Sequence, residues 1–383
     1  MPNLRTMVTE LGTGMGMLGF GDIDEVLATR PSVMRSLSPE HWDRLGSVRS
    51  GGAYDAEFHA AWLNGHAFLV ARDGLRGRQP ESVEWKGVVR GSGDEVAPVD
   101  LRIDHVYLVS CKYMSDILFN VSPTHVFDSL LVGGPARRGR GAGGDWYAEV
   151  APAQYQRLYE VVRTAVRDGE APDPRPEYRP TGHTTLALPG LEGSEPGSAG
   201  NSAVTRHSTE ALRELPPRAI DLTSAHRTAL SDRLRSGWPG EAKTVYRELS
   251  QAVAAASVAR WHAALSVGTN AGESMLWRLL RMGSAPYFVL GSSAAQSLRL
   301  RIATPWDWKQ LFGLVRLEVF PQEGGQPRVG WLATVRERSS GQLHEVSGHV
   351  EVRWSHGRFG GPPEAKGYLD TRHHLVPGYF PLQ

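Results

Sequence analysis

The chain has 383 residues, with 42 Lys+Arg against 41 Asp+Glu, 40% hydrophobic and 22% charged residues, a balance typical of a soluble globular protein long enough for two cores. Its one cysteine, Cys111, excludes an internal disulfide framework and any cysteine-based zinc cluster. No signal peptide, lipidation motif or bilayer-length apolar run is present, so a cytoplasmic protein with no membrane partner is expected.

Residues 1–48 read as helical and irregular, with Ser38-Pro39-Glu40 as a helix start. Gly14-Met15-Gly16-Met17-Leu18-Gly19 matches GxGxxG, but no strand precedes it, so it reads as a flexible glycine turn and not a dinucleotide loop. Tyr54 to Leu63 has helical spacing, with Phe58, Ala61 and Trp62 on one face, and Asn64-Gly65 reads as its stop. His66 to Val70 and Val83 to Val89 then read as strands.

Pro98 to Lys112 is the most informative stretch. Two β-prone runs meet at Asp104-His105, the pattern of a tight hairpin. Folding there sets Asp100 opposite Val109 and Ser110, and strand alternation points Ser110 and Lys112 to one face and Cys111 to the other. A carboxylate, a small polar oxygen and a lysine then share one end of a sheet. Oxygen ligands suit a hard divalent cation, and a neighbouring lysine can orient an activated water or stabilise developing negative charge.

Ile117 to Phe119 and Val126 to Leu131 read as helical packing on that sheet. Residues 133–144 form a basic glycine-rich stretch whose Arg137, Arg138 and Arg140 either follow a phosphate backbone or decorate a plain surface loop. Trp146-Tyr147, then Tyr155, Leu158, Tyr159, Val162 and Val166, predict an amphipathic helix closing a first domain at 168. A Pro/Gly/Ser-rich linker over 169–217 follows. The domain over 218–383 opens with helices to Met282, where Tyr246, Leu249, Val253 and Ala256 recur at helical spacing. Strands are predicted at Tyr287–Leu290, Leu298–Ile302, Leu314–Val319, Val329–Arg336 and His344–Trp354, giving a partly open sheet or small barrel. Trp306 and Trp308 around Asp307 read as helix-start packing. Arg353 to Phe359 reads as a hairpin tip that presents Arg353, His356 and Arg358 to a DNA groove or a displaced base, with an ordinary hairpin as the alternative. Charge is uneven: residues 1–170 hold 18 Lys+Arg against 22 Asp+Glu, and residues 171–383 hold 24 against 19. The second half is therefore the expected polyanion-facing part.

The hairpin resembles the PD-(D/E)xK, or restriction-endonuclease-like, nuclease superfamily, in which an acid on one strand is followed by acid-x-Lys on the next. Pro98-x-Asp100 matches the first half and Ser110-Cys111-Lys112 the second, with Ser110 where the family has Glu or Asp. The resemblance covers residues 50–165. It implies an α/β (α+β) fold with a mixed sheet flanked by helices, and an Mg²⁺- or Mn²⁺-dependent endonuclease acting on DNA. In that scheme Asp100 ligates the metal, and Glu57, on the preceding helix, completes the site directly or through water. Ser110 contacts the metal's water shell and Lys112 orients the attacking water. A rival registration uses Asp73, Glu84 and Lys86. The chain holds only five lysines, so a lysine kept in an arginine-biased sequence marks a place where a compact ammonium matters. The resemblance further implies a role in restriction or defence, a homodimer for double-strand cutting, and partner proteins of a defence system. The alternative is a non-catalytic nucleic-acid-binding or scaffold subunit that kept the fold and lost its acid at position 110.

Overall fold

A computed structural model describes residues 3–87, 99–129, 145–170, 210–292 and 297–383. The described strands form two sheets. The first has seven strands: β1 (Met34–Arg35), β2 (Val83–Trp85), β3 (Leu101–Ile103), β4 (Tyr107–Lys112), β6 (Tyr287–Ser292), β7 (Ser297–Ile302) and β12 (Tyr379–Pro381), side by side in that order. The second, antiparallel and five-stranded, runs β5 (Ile117–Val121), β11 (Glu364–Leu369), β10 (Leu343–Arg353), β9 (Arg328–Glu337) and β8 (Phe312–Gln322). The mixed α/β class is as expected.

The distribution of strands is not. β4 pairs in parallel with β6, Leu108 beside Tyr287 and Lys112 beside Gly291, so the first sheet crosses the expected linker. β5 joins β11 in the second sheet, again from the other side of it. Ile117 to Phe119 is therefore strand and not helix: Phe119 lies against Gly367, where a side chain would collide with its ring. The linker's central part, 171–209, lies outside the described residues.

Alternation divides the first sheet into two faces. Val83, Trp85, Leu101, Ile103, Val109, Phe288 and Leu290 face the N-terminal helices, in one core with Met7, Val8, Leu11 and Phe58. Tyr287, Val289, Leu298, Leu300 and Ile302 belong to the other core, shared with the later helices and the second sheet. The first core is built on α1 (Leu4–Gly16) and α4 (Asp55–Val70), with α2 (Ile23–Thr29) and α3 (Pro39–Ser50) beside them.

Two glycine expectations fail for one reason. Gly14 and Gly16 lie inside α1, and Gly65 lies inside α4, which continues to Val70 where a strand was expected. The two helices cross with backbones in contact. A Cβ on Gly65 would stand 2.0 Å from the Thr13 carbonyl oxygen, and one on Gly16 would stand 2.3 Å from that of Trp62. These glycines serve close approach and not a turn.

Beyond the first hairpin come α5 (Trp146–Val150), α6 (Pro152–Arg167), α7 (Ser224–Arg233), α8 (Ala242–Leu265), α9 (Ala271–Leu279) and α10 (Pro305–Leu311). Tyr155, Leu158, Tyr159 and Val162 form the buried stripe of α6. The 24-residue α8 buries Tyr246, Leu249 and Val253 and packs against α6, β8 and β9. α10 starts as expected, with Thr304 and Asp307 in a reciprocal capping box, Trp308 buried and Trp306 exposed.

Candidate active site

The β3–β4 hairpin turns where expected. Asp104 and His105 take positive φ of 50° and 59°, the backbone of a type I′ turn. Asp104 fixes the turn: Oδ1 accepts from the Glu81 and Ser82 amides at 2.7 and 3.0 Å, and Oδ2 from Arg78 at 2.5 Å. Burial alone would raise its carboxyl, but these bonds outweigh it and hold the group below its ordinary range.

At the open end of the hairpin lies Asp100. Its amide donates to the Val109 carbonyl and its carbonyl accepts from Lys86, each at 2.9 Å. The strand pairing stops at Leu101 opposite Val109, which leaves the next donor of β4 without a backbone acceptor across the pair. The Asp100 side chain fills that role: Oδ2 accepts from the Cys111 amide at 2.6 Å and from Ser110 Oγ at 3.1 Å. Ser110 is buried and its hydroxyl also hydrogen-bonds the Tyr287 phenol.

Four charged side chains from separate elements act on one another here. Burial lifts the Asp100 carboxyl above its ordinary value, opposed by the charge of Lys112, then by the Cys111 amide hydrogen bond and the charge of Arg281. Burial and then the charge of Asp100 push Glu10, on α1, up to about 8, although the Trp85 indole donates to its Oε2 at 2.6 Å and Lys112 also favours its ionised form. Burial and the Arg281 cation bring Lys112 down to about 8, against the pull of Asp100 and Glu10. Arg281 is 1% exposed, holds φ 62° and lies over the Tyr287 ring. Cys111 faces α1, as the alternation predicts. It hydrogen-bonds Thr13, and burial raises its thiol well above the ordinary value, which suits packing and not nucleophilic attack.

The expected Asp100, Ser110 and Lys112 are thus brought together. Glu57 occupies a different position. It is buried on α4, pairs with Arg5 at 3.1 Å, hydrogen-bonds Tyr113, and shares with Lys112 the lining of a cavity of about 170 Å³. The helix carboxylate that acts on Asp100 and Lys112 is Glu10. Its signal was present in the sequence, an ionisable residue enclosed by Met7, Val8, Leu11 and Met15, but it was hidden by reading the glycines after it as a turn.

The rival registration does not assemble. Glu84 lies between Arg102 and Lys86, at 2.7 and 3.7 Å. Asp73 sits 3.7 Å from Arg301 on β7, which is four strand spacings from β2, or roughly 19 Å. Residues 354–363 join the antiparallel strands β10 and β11, so 353–359 belong to an ordinary hairpin, the alternative reading, and not to a presented tip. Phe359 is fully buried and Trp354 packs among Tyr147, Tyr246 and Trp238. Arg358 donates to the Leu234 and Gly237 carbonyls and lies over Trp238. Arg353 faces Glu351 at 3.6 Å, and only His356 of the three is largely exposed. Arg137, Arg138 and Arg140 lie outside the described residues.

Among the described residues no three His, Cys, Asp or Glu side chains come close enough to hold a metal ion together. A hard cation of the Mg²⁺ class needs only one or two protein carboxylates and completes its shell with water and phosphate oxygens, so Glu10 and Asp100 are the residues that could hold one. Glu10 and Asp100 supply two carboxylates whose ionised forms repel one another, the situation a divalent cation relieves. Zinc, with its nitrogen and sulfur preference, does not suit this set. Compared with protein-family models, curated proteins and solved structures, the chain finds no match.

Proposed function

We propose that the protein is a divalent-metal-dependent endonuclease hydrolysing phosphodiester bonds in DNA. The observation that carries the reading is the Asp100 carboxylate held by Ser110 Oγ and the Cys111 amide at the open end of the hairpin, with Lys112 next along β4 and the charges of Lys112 and Glu10 acting on the same group. A helix carboxylate, an acid on one strand and a lysine on the next is the arrangement the PD-(D/E)xK resemblance leads one to expect, within a mixed sheet flanked by helices. Glu10 here takes the role expected of Glu57.

Asp100 and Glu10 would hold Mg²⁺ or Mn²⁺, which when bound neutralises phosphate charge and acidifies a water. Ser110 and the Cys111 amide fix the Asp100 carboxylate through Oδ2. Lys112, brought down to about 8, exchanges a proton near neutral pH and so can accept one from an attacking water or, as the ammonium, face the charge developing on phosphorus. Arg281 favours the neutral amine of Lys112 and is a positioning residue.

The test is cleavage of supercoiled plasmid with Mg²⁺ or Mn²⁺. Asp100→Asn and Lys112→Ala should each lower the rate about 10²- to 10⁴-fold, Glu10→Gln should do so comparably, and Glu84→Ala should cut like wild type. Full activity in Asp100→Asn would overturn the assignment. A side-by-side digestion of RNA decides the nucleic acid. No described helix is long and apolar enough to cross a membrane. A homodimer, a cytoplasmic setting and a role in defence alongside partner proteins belong to this proposal.

One observation favours a second reading, a non-catalytic nucleic-acid-binding or scaffold subunit. Ser110, in the position of the family's second acid, donates to Asp100 and leaves the site one carboxylate short. Wild-type protein that neither binds Mn²⁺ nor cuts any nucleic acid would establish that reading over the first.

A further inference from the structure

The cavity that Glu57 and Lys112 share is bounded by α4 and by the end of β6 and the start of β7. Its volume of about 170 Å³ is roughly the share of five or six waters. In β7, Leu298, Leu300 and Ile302 turn into the core shared with the later helices, which leaves Ser297 and Arg299 on the face toward α4. On α4, Glu57 and Asn64 lie two turns apart on one side, and both line the cavity.

Asn64 stands inside α4 and is 7% exposed, a place where an amide is costly unless it is bonded. Its Oδ1 accepts from Arg299 Nε at 3.1 Å. That bond holds the exposed guanidinium at the cavity, with its terminal nitrogens in no ion pair with a described residue. It also occupies the amide oxygen and leaves the Asn64 NH₂ to offer. Asn64 and Arg299 therefore present N–H donors, and Ser292 and Ser297 add two hydroxyls to the wall. Ser292 Oγ already accepts from the Met114 amide at 3.1 Å, so its O–H is the part left over. The carboxylate in the lining, Glu57, is already met by Arg5 at 3.1 Å and by the Tyr113 hydroxyl.

We propose that this cavity binds a phosphate group, with the Arg299 fork and the Asn64 amide on its oxygens and the Ser292 and Ser297 hydroxyls beside them. Lys112 lines the same cavity, so the phosphate is that of a nucleic-acid strand next to the bond that is cut. In this the inference rests on the endonuclease reading.

Fluorescence anisotropy of a labelled duplex oligodeoxynucleotide in EDTA measures binding with cleavage switched off. Arg299→Ala should weaken it at least about tenfold, the value of a charge-assisted contact, and lower the slope of log K against log salt by about 0.9. Asn64→Asp keeps the oxygen that accepts from Arg299, replaces the NH₂ by a charged oxygen, and should weaken DNA binding as much. A melting curve for each variant separates a lost contact from a lost fold. Calorimetric titration with inorganic phosphate locates the source of the group: phosphate binding lost in Arg299→Ala while DNA binding is unchanged would make the ligand a free phosphate, and DNA binding lost would place it in a strand; both support the shared chemistry. Folded variants that bind both probes like wild type, or a wild type that binds neither, would overturn it. Wild type that cuts plasmid while the variants bind like it removes this subsite alone. Wild type that never cuts, with DNA binding lost in both variants, removes the cleavage reading and leaves the phosphate site standing.

Discussion

Glu10 and Lys112 are displaced in opposite directions toward the same pH, and each displacement has a consequence that can be read in solution. Glu10 moves up from 4.5 to about 8, so the folded chain holds a proton that the unfolded chain has released between those values. Stability contributed by this group is therefore present at low pH and lost as pH rises through 8. Lys112 moves down from 10.5 to about 8, so the unfolded chain holds the extra proton above 8. Its contribution runs the other way, with stability recovering between 8 and 10.5. Chemical denaturation against pH should show a shallow minimum near 8, and Glu10→Gln should flatten the acid limb. Metal binding requires the ionised carboxylate. Mn²⁺ affinity should consequently rise with pH up to about 8, losing up to about tenfold per unit below it with one proton displaced. Titrations in buffers of different ionisation enthalpy would count that proton, and a pH-independent affinity would remove Glu10 from the site. At this scale Asp100, Ser110 and Lys112 were legible because strand alternation is local. Glu10 was not, since reading the glycines after it as a turn hid a helix that the α1–α4 crossing buries.

That crossing is the feature at the level of elements on which the N-terminal core depends. Gly65→Ala gains at most about 1 kcal/mol of helix propensity, but its Cβ would stand 2.0 Å from the Thr13 carbonyl oxygen, and backbone on both sides must move. Overpacking of this kind typically costs about 1–3 kcal/mol, so the net change should be a loss, measured as a lowered denaturation midpoint. Gly46, inside α3, has open space where a Cβ would stand, with nothing within 4 Å, and Gly46→Ala should stabilise by up to about 1 kcal/mol. At Gly16 and Gly65 sequence reasoning meets the same ambiguity: a helical glycine that admits a neighbour looks like one that ends the helix. The segment 353–359 fails similarly. Arg358 has the composition of a nucleic-acid contact, yet it bonds carbonyls just beyond α7 and lies over Trp238. Arg358→Ala should cost about 1.5–3 kcal/mol of stability, the scale of hydrogen bonds to a charged donor, and leave DNA affinity unchanged in a filter-binding assay.

For the molecule as a whole, β11 and β12 were not foreseen, but β6 to β10 were legible, because several alternate between apolar and polar and turn residues separate them. Their partners were not. Periodicity reports that a strand has a buried face, and is silent on which edge it pairs with. Residues 287–302 therefore read as part of a C-terminal sheet although they join β4. The interleaving has a measurable result. Both sheets take strands from both sides of residues 171–209, so heat or denaturant should unfold the chain in one transition seen alike by tryptophan fluorescence and circular dichroism. Two separated transitions would mean that the halves are independent.

The parallel seam between residues 108–112 and 287–291 also sets an order in time. β4 leaves the ribosome long before its neighbour exists, and Arg281 emerges only just ahead of that neighbour. A nascent chain that stops short of β6 thus carries Asp100 and Lys112 on an unfinished edge, without the cation that tunes the lysine. If the centre cuts DNA, synthesis itself withholds the blade until most of the polypeptide has been made.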